Sequence, residues 1–416
     1  MERSSLDSQP DGSLFRGYLA FLAGQQVSLL GSSVVQFVVI WWVTITTKSA
    51  WFLGLASVAG FAPIVVLAPF AGVFVDRLNR KWVIGVFDFV QALSTVVLIL
   101  FFMFGYASLV VVLLVLVFRG CCQAFHLPAT EAIVPLMVPQ DKLSRINGVT
   151  FLFNGLVTFI GPLVAGVLLL FLSVEQALWI DPITFVVALV PLVLIRIPSV
   201  RSGEAKRSFR EDFLEGLSFV RDSRGLVTLV FLATALNFLL MPASTLLSYF
   251  VNVDHHGLEA DYALVAAVSQ LGMLVGGLLM IVRSGFRRKM RATMLFILVC
   301  FVGYVLVAFT PLGWFWFMGA CFFLMSFAVA PANVLLSTIL QTIVPAQMQG
   351  RVRSVLMSLS MAASPLGMMM SGVLAAVVGT ANLFFATAVA GFFVVVGAWF
   401  LTDVRHVEDV KKEESA

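Results

Sequence analysis

The chain has 416 residues, of which 60% are hydrophobic and 39 are Phe, while only 12% are charged. A typical soluble domain is about 45–50% apolar, so a water-soluble protein is excluded at the outset. The formal charge of +4 is explained below by orientation in a bilayer, and nothing in it points to nucleic acid.

Apolar runs follow one another at a length of about 20 residues, enough for a helix to cross a hydrocarbon core of roughly 30 Å. Twelve are predicted, at about 17–42, 51–75, 82–104, 108–130, 147–172, 176–195, 226–252, 262–282, 292–310, 313–343, 354–378 and 381–401. The runs are continuous rather than alternating, which argues for helices and against a membrane β-barrel. The first run exceeds a signal-peptide core and lacks a small-residue cleavage site, so it reads as a retained span after a polar leader. With the N-terminus on the cytoplasmic side, 24 of the 26 Lys and Arg residues fall inside, leaving Lys48 outside and Arg119 within the membrane. That bias predicts a multi-pass protein of the cell membrane with both termini cytoplasmic. The cysteines Cys121, Cys122, Cys300 and Cys321 lie inside spans without metal-ligand spacing and read as packing residues.

Between the second and third spans, Gly72-Val-Phe-Val-Asp76-Arg77-Leu-Asn-Arg80-Lys81 sets four charges into six positions. Basic residues alone would serve topology. Asp76 adds a carboxylate that can accept from the amides of a neighbouring helix, while the arginines can pair with acids such as Glu131. Gly72, one turn earlier, would permit a close helix approach. Such a cluster can latch one arrangement of the protein and release it in another.

Charges inside hydrocarbon cost about 2.5–3.5 kcal/mol each at a helix centre, so each needs a partner or a task. Asp88 in the third span, Arg119 in the fourth and Asp181 in the sixth are such charges, all in the N-terminal half. Asp88 and Arg119 are expected to meet across two antiparallel helices. Asp181, followed by Pro182, is expected to cap or brace its own helix. These three form the expected proton-coupling group. His126, towards the inner end of the fourth span, reads either as a packing histidine or as part of the route. His255 and His256 fall in an external loop and suggest no special role.

The longest polar segment divides the chain into an N-terminal six-helix bundle at 1–196, a cytoplasmic linker with an amphipathic helix at 197–224, a C-terminal six-helix bundle at 225–403 and a cytoplasmic tail at 404–416. Phe209 to Val220 repeats apolar residues at helical spacing, which suits a helix lying on the inner membrane surface. A shift of 206 positions places Arg77 on Arg283, and places the Val138-Pro139 to Arg145 turn on Val344-Pro345 to Arg351. The fold class is therefore an all-α membrane protein of twelve transmembrane helices in two six-helix pseudo-repeats. Such repeats suit a transporter with its site near the midplane. Uncharged groups within the spans, Gln36, Asn154, Asn237, Gln270 and Asn333, together with His126 and Met241, are the candidates for lining an apolar cavity.

Gly72-x3-Asp76-Arg77-x2-Arg80-Lys81 resembles the signature loop of the major facilitator superfamily, with Asn79 where many members have Gly. Ala124-Phe-His-Leu-Pro128-Ala, Arg196-Ile-Pro198, Met241-Pro242, Gly272-Met-Leu-Val-Gly276-Gly277, Gly350-Arg351-Val352 and Thr402-Asp-Val-Arg405 resemble the macrolide-efflux (Mef-type) branch. Gly161-Pro162-Leu-Val-Ala165-Gly166 is similar to the superfamily's antiporter motif, with Ala165 in place of one Gly. The resemblance implies the major facilitator fold and a secondary exporter of hydrophobic or amphiphilic, macrolide-like drugs, driven by proton antiport through alternating access. Its partners would be a small amphiphilic molecule, protons and membrane lipid, with the chain acting as a monomer. The alternatives are a dedicated exporter of a lipid or siderophore-like metabolite, and a transport-inactive membrane receptor or scaffold. No Gly-rich phosphate loop ends in Lys-Ser or Lys-Thr, and no nucleophile–base or metal-ligand spacing occurs, so neither enzyme activity nor a cofactor is expected.

Overall fold

The structure, a computed structural model, describes residues 12–195, 197, 209–223, 225–283, 286, 288–345 and 348–406. The polar leader before residue 12 and the tail beyond 406 lie outside the described residues. The long helices are α1 (Gly12–Thr47), α2 (Ala50–Arg77), α3 (Arg80–Met103), α4 (Leu109–Glu131), α5 (Leu143–Phe171), α6 (Ile180–Leu194), α7 (Phe209–Asp222), α8 (Leu226–Thr245), α9 (Glu259–Val282), α10 (Lys289–Ala308), α11 (Phe315–Ile343), α12 (Gln349–Val378) and α13 (Thr380–Leu401). No β-strand occurs among the described residues. Short helical pieces extend α6 at its start and α8 at its end, and with them twelve helices, all but α7, are long and apolar enough to cross a membrane. The protein is an all-α membrane protein with two sets of six spans flanking α7. Only helices or closed barrels satisfy every backbone polar group in hydrocarbon, and continuous apolar runs select the helix.

Turn chemistry sets the ends. Asn79 accepts from the Lys81 amide at 3.0 Å and starts α3 two residues after α2 stops. Ser108 caps α4 through the Val111 amide at 3.4 Å. The turns after α3 and α10 each contain a glycine at positive φ, Gly105 at 73° and Gly313 at 76°, a conformation that a Cβ disfavours.

The chain divides into two compact units, Met1–Trp42 with Ala59–Glu204, and Val43–Val58 with Ala205–Ala416. The sequence division places both α1 and α2 wholly in the first bundle. In the structure the turn that joins them belongs to the second unit. There Thr44 Oγ1 lies 2.8 Å from Ser248 Oγ, and a Cβ on Gly372 would stand 2.6 Å from the Ala50 carbonyl oxygen. Within the first unit α3 packs on α4 and α6. Within the second, α9 and α10 pack on α11, and α8 packs on α12 and α13.

The pattern of α7 suits a helix on the inner membrane surface, and in the structure the helix also packs on α12. Arg351 Nη1 donates to Glu215 Oε1 at 2.6 Å, Gly216 sits against the Arg351 backbone, where a Cβ would come within 2.8 Å of the carbonyl oxygen, and Val220 is buried. Burial of apolar side chains such as Val220 between the helices favours this docking.

The crossing of α9 on α11 is a close one. Gly272 and Gly276 are one turn apart, and a Cβ at either would strike the backbone carbonyl of Phe323 or Phe327, also one turn apart; the added atom at Gly276 would also lie 3.1 Å from Pro331 Cδ. Small residues at this spacing let two membrane helices touch backbone to backbone. Gly276→Val is therefore expected to destabilise the protein by about 1–3 kcal/mol, the usual cost of overpacking. A Cβ on Gly397 meets only Leu401 Cδ1 at 3.9 Å, so Gly397→Ala should stay within about 0.5 kcal/mol of the parent. Thermal unfolding of the purified variants in detergent measures the contrast, and equal melting temperatures would refute it.

Candidate functional site

The buried charges of the first unit are arranged in two polar rungs. In the first, Arg119 Nη1 of α4 lies 2.8 Å from Asp181 Oδ2 at the start of α6. Thr95 of α3 donates its hydroxyl to the same oxygen at 2.6 Å, and Ser32 of α1 donates to Oδ1 at 3.0 Å. Arg119 also donates to Thr95 Oγ1, to the Gln91 carbonyl at 3.4 Å and to Ser32 Oγ at 3.4 Å. Asp181 is only 4% exposed, and its carboxylate joins four helices. The expectation that it caps its own helix is corrected, because side chains of α1, α3 and α4 hold its oxygens. A carboxylate so placed in hydrocarbon is tolerated because a cation and two hydroxyls replace its water.

The second rung holds Asp88 of α3. Its Oδ1 lies 2.9 Å from His126 Nε2 of α4, and Gln25 of α1 donates to Oδ2 at 3.1 Å. The His126 contact has an ion-pair distance without hydrogen-bond alignment, and both ring nitrogens lack a hydrogen-bond partner in the described structure. The expected Asp88–Arg119 pair is thus replaced by two others. The reason is register: on antiparallel neighbours, residues at one depth have a constant sum, and both 95 with 119 and 88 with 126 give 214. Asp88 stands seven residues from Thr95, about 10.5 Å along α3, too far to take Arg119 from Asp181.

The basic residues after α2 hold helix ends. Lys81 Nζ donates to the carbonyl oxygens of Val193 at 2.8 Å and Ile195 at 2.6 Å, closing the C-terminus of α6. Arg80 Nη1 donates to the Ala132 carbonyl at 3.1 Å, at the end of α4. Cations at helix C-termini are favoured by the exposed carbonyls and the helix dipole. Glu131 and Arg145 are exposed. The side chains of Asp76 and Arg77 lie outside those described. No described heavy atom lies within 4 Å of a Cβ built on Gly72, so the expectation of a close helix approach there is not met. In the antiporter motif the approach is real at Gly161, where a Cβ would lie 2.8 Å from Ser33 Cβ of α1. Pro162 interrupts the donor series of α5, and Ala165 and Gly166 are buried.

Among the cavity candidates, Gln36, Asn154, Asn237 and Asn333 are exposed, whereas Met241 and Gln270 are half-buried. Asn154 accepts from Gln26 Nε2 at 2.8 Å, linking α1 to α5. Asn237 donates to the Ala233 carbonyl at 2.9 Å and so serves its own helix. His126 leaves this group for the Asp88 rung. Among the described residues no group of His, Cys, Asp and Glu could hold a metal ion.

Gln25, Ser32 and Thr95 were absent from the sequence candidates, yet they complete both rungs. A signal existed: Gln25 and Ser32, Asp88 and Thr95, and Arg119 and His126 are each seven residues apart, two turns on one helix face.

If the Arg119–Asp181 rung is a fixed brace, Arg119→Met should cost about 3–5 kcal/mol by leaving a buried carboxylate without its cation. Arg119→Met with Asp181→Asn should recover most of that loss. Folded yield and thermal unfolding test this, and full stability of the single variant would refute the brace.

A family model described as the Major Facilitator Superfamily matches residues 21–367. Macrolide efflux protein A of Streptococcus pyogenes is 26% identical over 391 residues, covering 93% of this chain and 96% of that protein. Multidrug efflux pump Tap of Mycolicibacterium fortuitum is 28% identical over 399 residues, covering 92% and 94%. In fold the chain is similar to the crystal structure of nucleoside transporter NupG, with a TM-score of 0.75 at 13% identity over 92% of this chain and 98% of that one. It is similar also to a bacterial homologue of the iron transporter ferroportin in an inward-facing state, with a TM-score of 0.73 at 14% identity over 92% and 98%. Twelve spans in two sets of six, a charged turn after the second span, and a family match over most of the chain agree with one another: the chain belongs to the Major Facilitator Superfamily.

Proposed function

We propose that this transporter exports hydrophobic or amphiphilic compounds, macrolide-like molecules among them, across the cell membrane by proton antiport and alternating access. The observation that carries the reading is the Asp88–His126–Gln25 rung. Asp181 has a cation and two hydroxyls on its oxygens, which suits a brace. Asp88 is buried, yet it meets a titratable imidazole with an unpartnered Nδ1 and a single amide donor. A proton placed on Asp88 removes its attraction for His126 and loosens the contact of α3 with α4 at that level, leaving the Asp181 rung intact. Loss of that proton restores the contact. The names of the two relatives, a macrolide efflux protein and a multidrug efflux pump, support the substrate class. Within the first unit, exposed Gln36 and Asn154 offer polar handles of the kind an apolar ligand site uses. In the same reading Asp76 and Arg77 act as a latch that biases the two states without touching substrate.

Proteoliposomes with an imposed pH gradient test the coupling. Asp88→Asn and His126→Gln should each reduce gradient-driven export of a macrolide at least about tenfold, while exchange at equal pH continues. Unchanged dependence on the gradient in both variants would remove proton exchange from this rung.

The direction of transport rests on orientation. Cysteines placed at Tyr106 and Ala260 should react with an impermeant thiol reagent added outside intact cells, and one at Arg145 should not. Reversed labelling would overturn the exporter reading.

A further inference from the structure

The eighth helix does not end cleanly at Thr245. The chain continues through Leu247–Tyr249 into a π-helical turn, Phe250–Asp254, and such turns are rare and concentrate at functional positions. His255 follows at once and is only 8% exposed. Its Nδ1 lies 3.0 Å from the carbonyl oxygen of Phe250, and its Nε2 lies 3.2 Å from the carbonyl oxygen of Thr310, just beyond the end of α10. The ring stands edge-on to Phe250 at 4.3 Å, and Phe250 packs on Phe384 of α13 at 5.0 Å. The imidazole therefore joins the ends of α8 and α10 beside α13.

A carbonyl oxygen accepts hydrogen bonds and cannot donate them. Both contacts are hydrogen bonds only if both ring nitrogens carry hydrogen, which is the imidazolium form. A neutral ring can satisfy one carbonyl and must turn a lone pair towards the other. Asp254, the preceding residue, is within electrostatic reach of His255 and His256, and its Oδ2 is buried without a hydrogen-bond partner.

We infer that His255 is a proton-binding clamp on the membrane face remote from α7, fastening the π turn of α8 to the end of α10 when the ring carries its second proton. The other charged groups around it are few. His256 and Asp254 share its segment, and α9 begins with Glu259 and Asp261, of which Asp261 accepts from the Leu258 amide at 2.9 Å. From α10, α11, α12 and α13 no Asp, Glu, Lys or Arg approaches, because none occurs between Arg291 and Arg351 or between Arg353 and Asp403. The tyrosines of the surrounding elements are Tyr249 just before the π turn, Tyr262 of α9 and Tyr304 of α10. The inference does not require antiport, since a clamp of this kind answers to pH on one side of the membrane whatever ion drives transport.

The sign is set by donor count. The protonated ring makes two bonds and the neutral ring one, so the stabilisation is present at the acid end of the histidine range and lost towards the alkaline end. Thermal unfolding of the purified full chain in detergent, followed from about pH 5 to about pH 8, should show the parent losing about 2–4 °C more than H255Q. H256Q should keep the parent slope. Equal slopes in the parent and H255Q would overturn the clamp. Should H255Q fail to fold, ¹⁵N-histidine spectra of the parent decide, with His255 assigned by elimination using H126Q, H256Q and H406Q. Two protonated ring nitrogens at about pH 5, giving way to one as the pH rises, support the clamp, and a singly protonated ring at the acid end refutes it.

Discussion

A carboxylate in hydrocarbon has to be neutralised where it stands, and in the first unit that requirement organises everything around it. Asp181 draws Arg119 from α4, Thr95 from α3 and Ser32 from α1 into one set of contacts. Each contact is short, and none can slide by a residue without exposing a buried charge to apolar side chains. The register of α3 on α4 follows from this. Once Thr95 is level with Arg119, Asp88 must be level with His126, because both helices advance by the same rise per residue. The second rung is therefore a geometrical consequence of the first.

Much of the architecture was legible from the amino acids alone. A run of about 20 apolar residues has few alternatives to a spanning helix, and the turn chemistry at Asn79 and Ser108 stands where the runs break. Partners were harder to read. Asp88 and Arg119 were recognisable as membrane charges, but composition says which residues need partners and not which ones they find. The Asp88–His126 match appears only when the register is known. Gln25, Ser32 and Thr95 were overlooked because uncharged polar residues are cheap enough in a helix to pass as packing, and only their shared spacing of seven sets them apart. Gly72 differs in the opposite way: a small residue one turn before the charged cluster suggested a close crossing, while close backbone approaches occur at other glycines, Gly120, Gly272 and Gly276 among them.

The two halves share a pattern in sequence and differ in how they are held. Polar rungs tie the first unit together. The six spans of the second carry hardly a charge, and contacts of glycine with backbone do that work, as at Gly272 on Phe323 and Gly276 on Phe327. Arg145 and Arg351 occupy matching turns of the two repeats, yet Arg145 is exposed whereas Arg351 holds Glu215 of α7. A duplicated motif thus serves different ends once one copy has a linker helix beside it. Sequence symmetry identifies the repeat, but the environment of each copy decides what its arginine does.

The contrast between the rungs bears on how a transporter can bind a proton without losing its fold. A group that must change charge during the cycle cannot also be the group that fixes helix register, since each protonation would loosen the bundle. Asp181 accepts from three donors on three other helices, and its replacement by a neutral acid would leave Arg119 buried without a counter-ion. Asp88 carries a lighter duty. Its partners are an amide, which stays neutral, and an imidazole, which can give up or take a proton itself. In the proposed antiport, charge leaves and returns at Asp88 while the four-helix junction two turns away keeps its contacts. Seven residues of separation along α3 would keep the holding group and the exchanging group apart.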